Sequence, residues 1–140
     1  SPLIQALQQH LPKSQVITDE LRLLAYGSDA SFYRLTPEVI AIVESENELK
    51  SVLTAARQNN RPVTFRAAGT SLSGQAITDG VLALIGEGFA TYELNADASK
   101  VKVGPGITRA RWHLFDAAAV RRWLAAYAEQ FAPHAAKSRA

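Results

Sequence analysis

The chain has 140 residues and a formal charge of +2, a size at which roughly two-thirds of the unfolded surface can be buried and no covalent staple is required. It contains no Cys, which excludes disulfides, thiolate catalysis, iron–sulfur ligation and cysteine zinc sites. No apolar run approaches a membrane span and no basic flank precedes an apolar N-terminal core, so neither a transmembrane helix nor a signal peptide is visible, and a cytoplasmic location is expected.

In chain order, residues 2–11 read as a short helix closed by Pro12, and Thr18 is placed to cap a second helix that runs through Leu24 and stops near Gly27. Together, residues 1–27 read as an N-terminal helical arm. Val39–Val43 is an unbroken apolar strand, followed by Ser45-x-x-Glu48, the pattern of a capping box. The helix it opens should turn Leu49, Val52, Leu53 and Ala56 to one face, with Glu46 and Glu48 at its positive end and Arg57 at its negative end. Asn59-Asn60-Arg61-Pro62 ends it, and residues 63–65 form the second strand of a β-α-β unit, for which parallel strands are expected.

That strand leads into Arg66-Ala67-Ala68-Gly69-Thr70-Ser71-Leu72-Ser73-Gly74-Gln75. Two glycines permit positive φ and close backbone approach, Thr70, Ser71 and Ser73 carry hydroxyls, and Arg66 stands at the strand's end. Such a loop suits phosphate. Gly69 and Gly74 have Walker A spacing, yet Gln75 and Ala76 occupy the positions where that motif needs Lys and Ser or Thr, so nucleotide hydrolysis is not expected. Neither Ser71 nor Ser73 sits in a G-x-S-x-G elbow, and no His or Asp lies nearby in sequence to activate them. A dinucleotide pyrophosphate, held and not cleaved, fits better.

Beyond the loop, Thr78-Asp79-Gly80 turns into a strand at Val81–Ile85, and further short strands are expected at 91–94 and 100–103. Gly86/Gly88 and Gly104/Gly106 are isolated G-x-G pieces beside strands, not a dinucleotide fingerprint opening a helix, so the fold class is mixed α+β and not Rossmann. Residues 1–106 carry nine basic and eleven acidic side chains, whereas 107–140 carry six basic and two acidic and are rich in Ala. The chain therefore divides into a body at 1–106, with the arm at 1–27 and the α+β part at 28–106, and a tail at 107–140. Within the tail, Asp116 can cap a helix over 117–131, where Val120, Leu124, Tyr127 and Phe131 make an apolar stripe.

From Asp29 to Gly106 the sequence resembles the start of the FAD-binding domain of the vanillyl-alcohol oxidase/p-cresol methylhydroxylase family. The residues that carry the resemblance are Ala30-Ser31-Phe32-Tyr33, Val39–Val43, the run from Arg66 to Gln75, and Val103-Gly104-Pro105-Gly106. The closest branch is that of the FAD-linked D-lactate and D-2-hydroxy acid dehydrogenases with the flavin subunit of glycolate oxidase. The resemblance implies FAD as cofactor, with Gly69, Thr70, Ser71, Leu72, Ser73, Gly74 and Gln75 around its pyrophosphate and Gly104, Pro105 and Gly106 near the flavin; Arg66, by its place at the strand's end, is the candidate counter-charge for the same cofactor. It implies a small 2-hydroxy acid as substrate in the parent family. It also implies that this chain holds only the first subdomain, because no stretch here matches the second FAD subdomain or the substrate domain with its catalytic and metal-binding histidines. The absence of any Met suggests that Ser1 is not the translated start.

Plainer readings stand beside these. The glycine–serine loop could be a surface connection, and Arg66 could make a structural ion pair as readily as a phosphate contact. His10, His113 and His134 have no ligand-like spacing, so no metal site is expected, and no catalytic residue is assigned. Arg109, Arg111, Arg121 and Arg122 read as a solvated helix face and not a nucleic-acid surface. Two functions remain: part of an FAD-dependent oxidoreductase, inactive on its own and with weak FAD binding, or a stand-alone non-catalytic binding module or remnant. Self-association through the tail helix is expected in either.

Overall fold

The computed structural model describes residues 1–97, 99–107 and 125, in two compact units, Ser1–Phe89 and Ala90–Ala140. The expected helix at 117–131 and the rest of the tail lie outside the described residues, except Ala125, which is helical and exposed.

The first unit opens with α1, Pro2–His10, where Pro2 brings a helical φ to the first turn and has no N–H to leave unpaired. Leu3, Leu7 and Leu11 recur every four residues along one face and are all buried. A 3₁₀ turn at Lys13–Gln15 leads into β1, Val16–Ile17. The second helix, α2, spans Glu20–Ala25, and its cap is Asp19, not Thr18: the Asp19 carboxylate accepts from the Arg22 N–H at 3.0 Å. The helix starts one residue later than expected, so the N–H three residues past the cap is that of Arg22, and the Asp19 carboxylate is the acceptor in reach of it.

Strand β2, Val39–Val43, precedes α3, Glu46–Gln58. Ser45 Oγ accepts from the Glu48 N–H at 3.3 Å, so half of the capping box forms as expected. The other half reaches one residue further back, because Glu48 Oε2 accepts from the Glu44 N–H at 2.7 Å and also from Gln15 Nε2 at 2.9 Å. On α3 the buried residues are Val52, Ala55 and Ala56, with Leu49 half-buried, while Leu53 is 41% exposed. The expected face was thus rotated: positions 52, 55 and 56 share an i, i+3, i+4 stripe, and the small Ala55 allows close packing where Leu53 falls to the flank.

After α3, β3 at Val63–Arg66 and β4 at Val81–Ile85 complete a four-stranded sheet of order β1-β2-β4-β3. Both β2 and β3 run parallel to β4, in register Ile40↔Leu82 and Thr64↔Leu82, whereas β1 is antiparallel to β2. The β-α-β unit therefore leaves room for β4 between its own two strands.

Strands β2 and β4 are apolar at successive positions because both faces of the sheet are covered. Val39, Ala41, Val43 and Val81 pack with Leu3, Leu7, Val52 and Ala56 on the α1/α3 face, and Ile40, Leu82 and Leu84 pack with Ile17, Leu23 and Tyr26 on the other. Full burial of each Leu or Ile is worth about 1.5–3 kcal/mol, so the N-terminal arm, which supplies Leu3, Leu7 and Ile17, belongs to the core of this unit. The unit is closed by a 3₁₀ turn at Glu87–Phe89, where the Gly88 N–H donates to Glu44 Oε2 at 2.6 Å.

The second unit contains an antiparallel hairpin of β5, Tyr92–Leu94, and β6, Val101–Val103. Its connection is held by side chains: Asn95 Oδ1 accepts from the Lys100 N–H at 2.8 Å, and Asp97 Oδ1 accepts from the Ser99 N–H and hydroxyl. The architecture is α+β with a small mixed sheet. No helix among the described residues is long and apolar enough to cross a membrane.

Candidate functional site: the loop after strand β3

Strand β3 is an edge strand and hands its chain to an irregular loop over 67–80 before β4 begins at the centre of the sheet. No helix opens after Gly74; residues 75–76 form a turn. This is a physical difference from a Walker loop, in which the helix that follows points its positive end at the phosphates. Here the donors are those of the loop itself.

Gly69 and Gly74 have φ of +66° and +72°. An L-residue at either would be strained, and a Cβ at Gly69 would lie 2.5 Å from Arg66 Nη2, while one at Gly74 would lie 3.0 Å from Tyr33 Cδ2. Both glycines are thus required by backbone shape and by what is packed beside them.

Among the described residues, the backbone N–H groups of Gly69, Thr70, Ser71, Leu72 and Gly74 make no hydrogen bond. Ser71 Oγ accepts from the N–H groups of Ser73 at 3.2 Å and Gln75 at 3.0 Å, which tightens the crest and leaves the hydroxyl hydrogen to donate elsewhere. Thr70 and Ser73 are exposed and Leu72 is 80% exposed. Within 67–76 there is no acidic side chain. Backbone donors and three hydroxyls, on a stretch with no acidic side chain of its own, suit an oxyanion.

Arg66 is half-buried beneath this loop. Its Nη1 donates to the carbonyls of Ser28 at 2.8 Å and Tyr26 at 3.1 Å, which uses both hydrogens of that nitrogen, and the guanidinium lies 5.3 Å from the Tyr26 ring centroid. No ion pair involving Arg66 exists among the described residues. Its visible work is to fasten the strand's end to the segment after α2.

That segment was missed as part of the site. The Ala30 N–H donates to the Gly69 carbonyl at 3.1 Å, and Asp29 bridges two backbones: Oδ1 accepts from the Ser31 N–H at 2.8 Å and Oδ2 from the Ala76 N–H at 3.3 Å. Hydrogen bonding from Ser31, followed by that from Ala76, holds the Asp29 carboxyl below its usual range. The Asp-x-Ser spacing of an Asx turn was the available signal. In the second unit, Gly104, Pro105 and Gly106 form a turn closed by the Ile107 N–H on the Gly104 carbonyl at 3.2 Å, with the Gly104 N–H on the Thr91 carbonyl at 2.8 Å. No cluster of metal-ligating side chains occurs among the described residues.

The family model of the FAD binding domain matches residues 37–130, more than half of the chain, and takes in β2, α3, the whole of the loop and the hairpin. The chain belongs to the FAD binding domain family. Its cofactor is FAD, and the loop's donor set is chemically suited to that molecule's pyrophosphate. Among curated proteins, the chain is similar to glycolate oxidase subunit GlcD of Escherichia coli K12, with 26% identity over 108 residues, 75% of this chain and 22% of that protein. Among solved structures it is similar to p-cresol methylhydroxylase with substrate bound (14% identity, TM-score 0.67, 79% of this chain and 23% of that one). It is also similar to the BBE-like 1 protein of Physcomitrella patens (20% identity, TM-score 0.64, 81% and 26%). The fold is that of the p-cresol methylhydroxylase group, and the chain spans about a quarter of the length of these relatives.

Proposed function

We propose that residues 69–75 hold the pyrophosphate of FAD in an FAD-dependent oxidoreductase that acts on a small 2-hydroxy acid, as in the D-lactate and D-2-hydroxy acid dehydrogenases. The observation that carries the reading is the set of N–H groups at Gly69, Thr70, Ser71, Leu72 and Gly74 that make no internal hydrogen bond, on a loop shaped by two positive-φ glycines. The flavin supplies the hydride acceptor when bound. The residues named here bind and orient the dinucleotide: backbone N–H groups and the hydroxyls of Thr70, Ser71 and Ser73 meet the phosphate oxygens, and Arg66 braces the loop from below. Gly104, Pro105 and Gly106 are proposed as a second contact. No residue of the chain is proposed as catalytic.

Similarity to a glycolate oxidase subunit supports the 2-hydroxy acid class. A cytoplasmic location and self-association through residues 117–131 belong to the same proposal and rest on sequence. With one loop to offset the entropy of holding a large cofactor, FAD affinity should be modest. The test is an absorption and fluorescence titration of the purified chain with FAD. Saturable binding that ADP competes for, that riboflavin does not, and that Gly74→Arg abolishes is the expected result; binding of FAD and riboflavin alike, untouched by Gly74→Arg, would exclude the loop.

A further inference from the structure

The segment just after α2 meets the loop at its root, start, crest and end. At the root, Arg66 Nη1 holds the Tyr26 and Ser28 carbonyls; at the start, the Ala30 N–H holds the Gly69 carbonyl. At the crest, the Tyr33 ring fills the space that a Gly74 side chain would need, and at the end Asp29 Oδ2 takes the Ala76 N–H. Nearly fifty residues of sequence separate Asp29 from Ala76, so the loop's shape is imposed from outside its own sequence.

We infer that Asp29 is a positioning residue for the oxyanion loop, clasping its exit so that the N–H groups of 69–72 and 74 are presented together. The inference rests on the pyrophosphate reading and extends it. Asp29 spans two elements: one oxygen fixes its own turn through Ser31 and the other fixes the loop through Ala76. The Ser31 bond alone would be an ordinary turn contact, whereas the Ala76 bond ties that turn to a distant part of the chain. Both together make the carboxylate a rigid strut, since rotation to favour one donor releases the other. A negative charge beside an anion site lowers affinity by repulsion, so a carboxylate here is useful to binding only if the order it imposes outweighs that repulsion. The two effects predict opposite outcomes on neutralisation, which makes them separable.

The experiment uses the full chain, with backbone amide NMR and ADP as the pyrophosphate probe, on the unsubstituted protein, Asp29→Ala and Asp29→Asn. Clasping predicts that Asp29→Ala shifts the ligand-free amide resonances of 69–76, leaves those of β2 and β4 in place, and weakens ADP binding about tenfold. Asp29→Asn, which keeps an acceptor oxygen, should recover much of the loss. Tighter ADP binding by both variants would show that charge and not position is what Asp29 contributes, and overturns the inference, as does equal binding by all three proteins. Shifts spread through β2 and β4 would make Asp29 a general structural residue and also overturn it. If the unsubstituted chain fails to bind ADP, the pyrophosphate reading fails, and the clasp is then decided by the ligand-free loop amides alone: displaced in Asp29→Ala, it stands; unmoved, it falls.

Discussion

At the scale of single residues, the loop depends on two glycines for different reasons. Gly69 sits over the Arg66 guanidinium and Gly74 against the Tyr33 ring, and both have left-handed φ. Replacing either by Ala should cost about 1–2 kcal/mol in backbone strain, read as a lowered urea midpoint, with a larger proportional loss of FAD affinity because the donors move. Glu38 offers a pH test. It accepts from Arg61 Nε at 2.6 Å and from Ser1 Oγ at 3.0 Å, and the Arg61 hydrogen bond, ahead of the others, holds its carboxyl below the usual range. A depressed folded-state pKa contributes stability that is present above the unfolded value of about 4.3 and is lost as pH falls through the folded one. Glu38→Gln should therefore leave the melting temperature less sensitive to acid below that value, and more similar to the parent at low pH than at pH 7. The pair is half-exposed, so the change should be small.

At the scale of elements, α3 is anchored at its start by Glu48 more than by its cap. Ser45→Ala should cost about 1 kcal/mol. Glu48→Ala should cost more in the same denaturation assay, because the Glu44 N–H loses its acceptor and the Gln15 amide keeps only the Ile42 carbonyl. Much of this level was legible in the sequence: β2 and β4 fall on their apolar runs, α1 ends before Pro12, and the loop follows its strand. The misreadings have local causes. Strand β1 is two residues long and exists only by pairing with Ala41 and Ile40, which no pattern within Val16 and Ile17 could announce. The Leu53 face looked right by hydrophobicity, but the core that α3 shares with α1 and the sheet takes in Ala55 and leaves Leu53 exposed. Strand order was beyond local reading as well, since identical apolar runs serve adjacent or inserted strands. Asp29 was visible only as a turn former, because its second partner, Ala76, lies in another element.

At the scale of the whole molecule, the first unit is organised so that a sheet whose central strands are buried on both faces ends, after its edge strand, in an exposed loop of backbone donors. Its N-terminal arm is part of that organisation. Leu7→Ala, fully buried in α1, should cost about 2–5 kcal/mol and lower the melting temperature of the entire unit, which an independent arm would not do. Residues 69–75 are proposed to receive the pyrophosphate of FAD. The most direct measurement is the change in backbone amide resonances of the full chain as FAD is added. The largest saturable shifts are expected at Gly69, Thr70, Ser71, Leu72 and Gly74, reproduced by ADP; shifts concentrated elsewhere while those five amides stay still would exclude the loop as the pyrophosphate site.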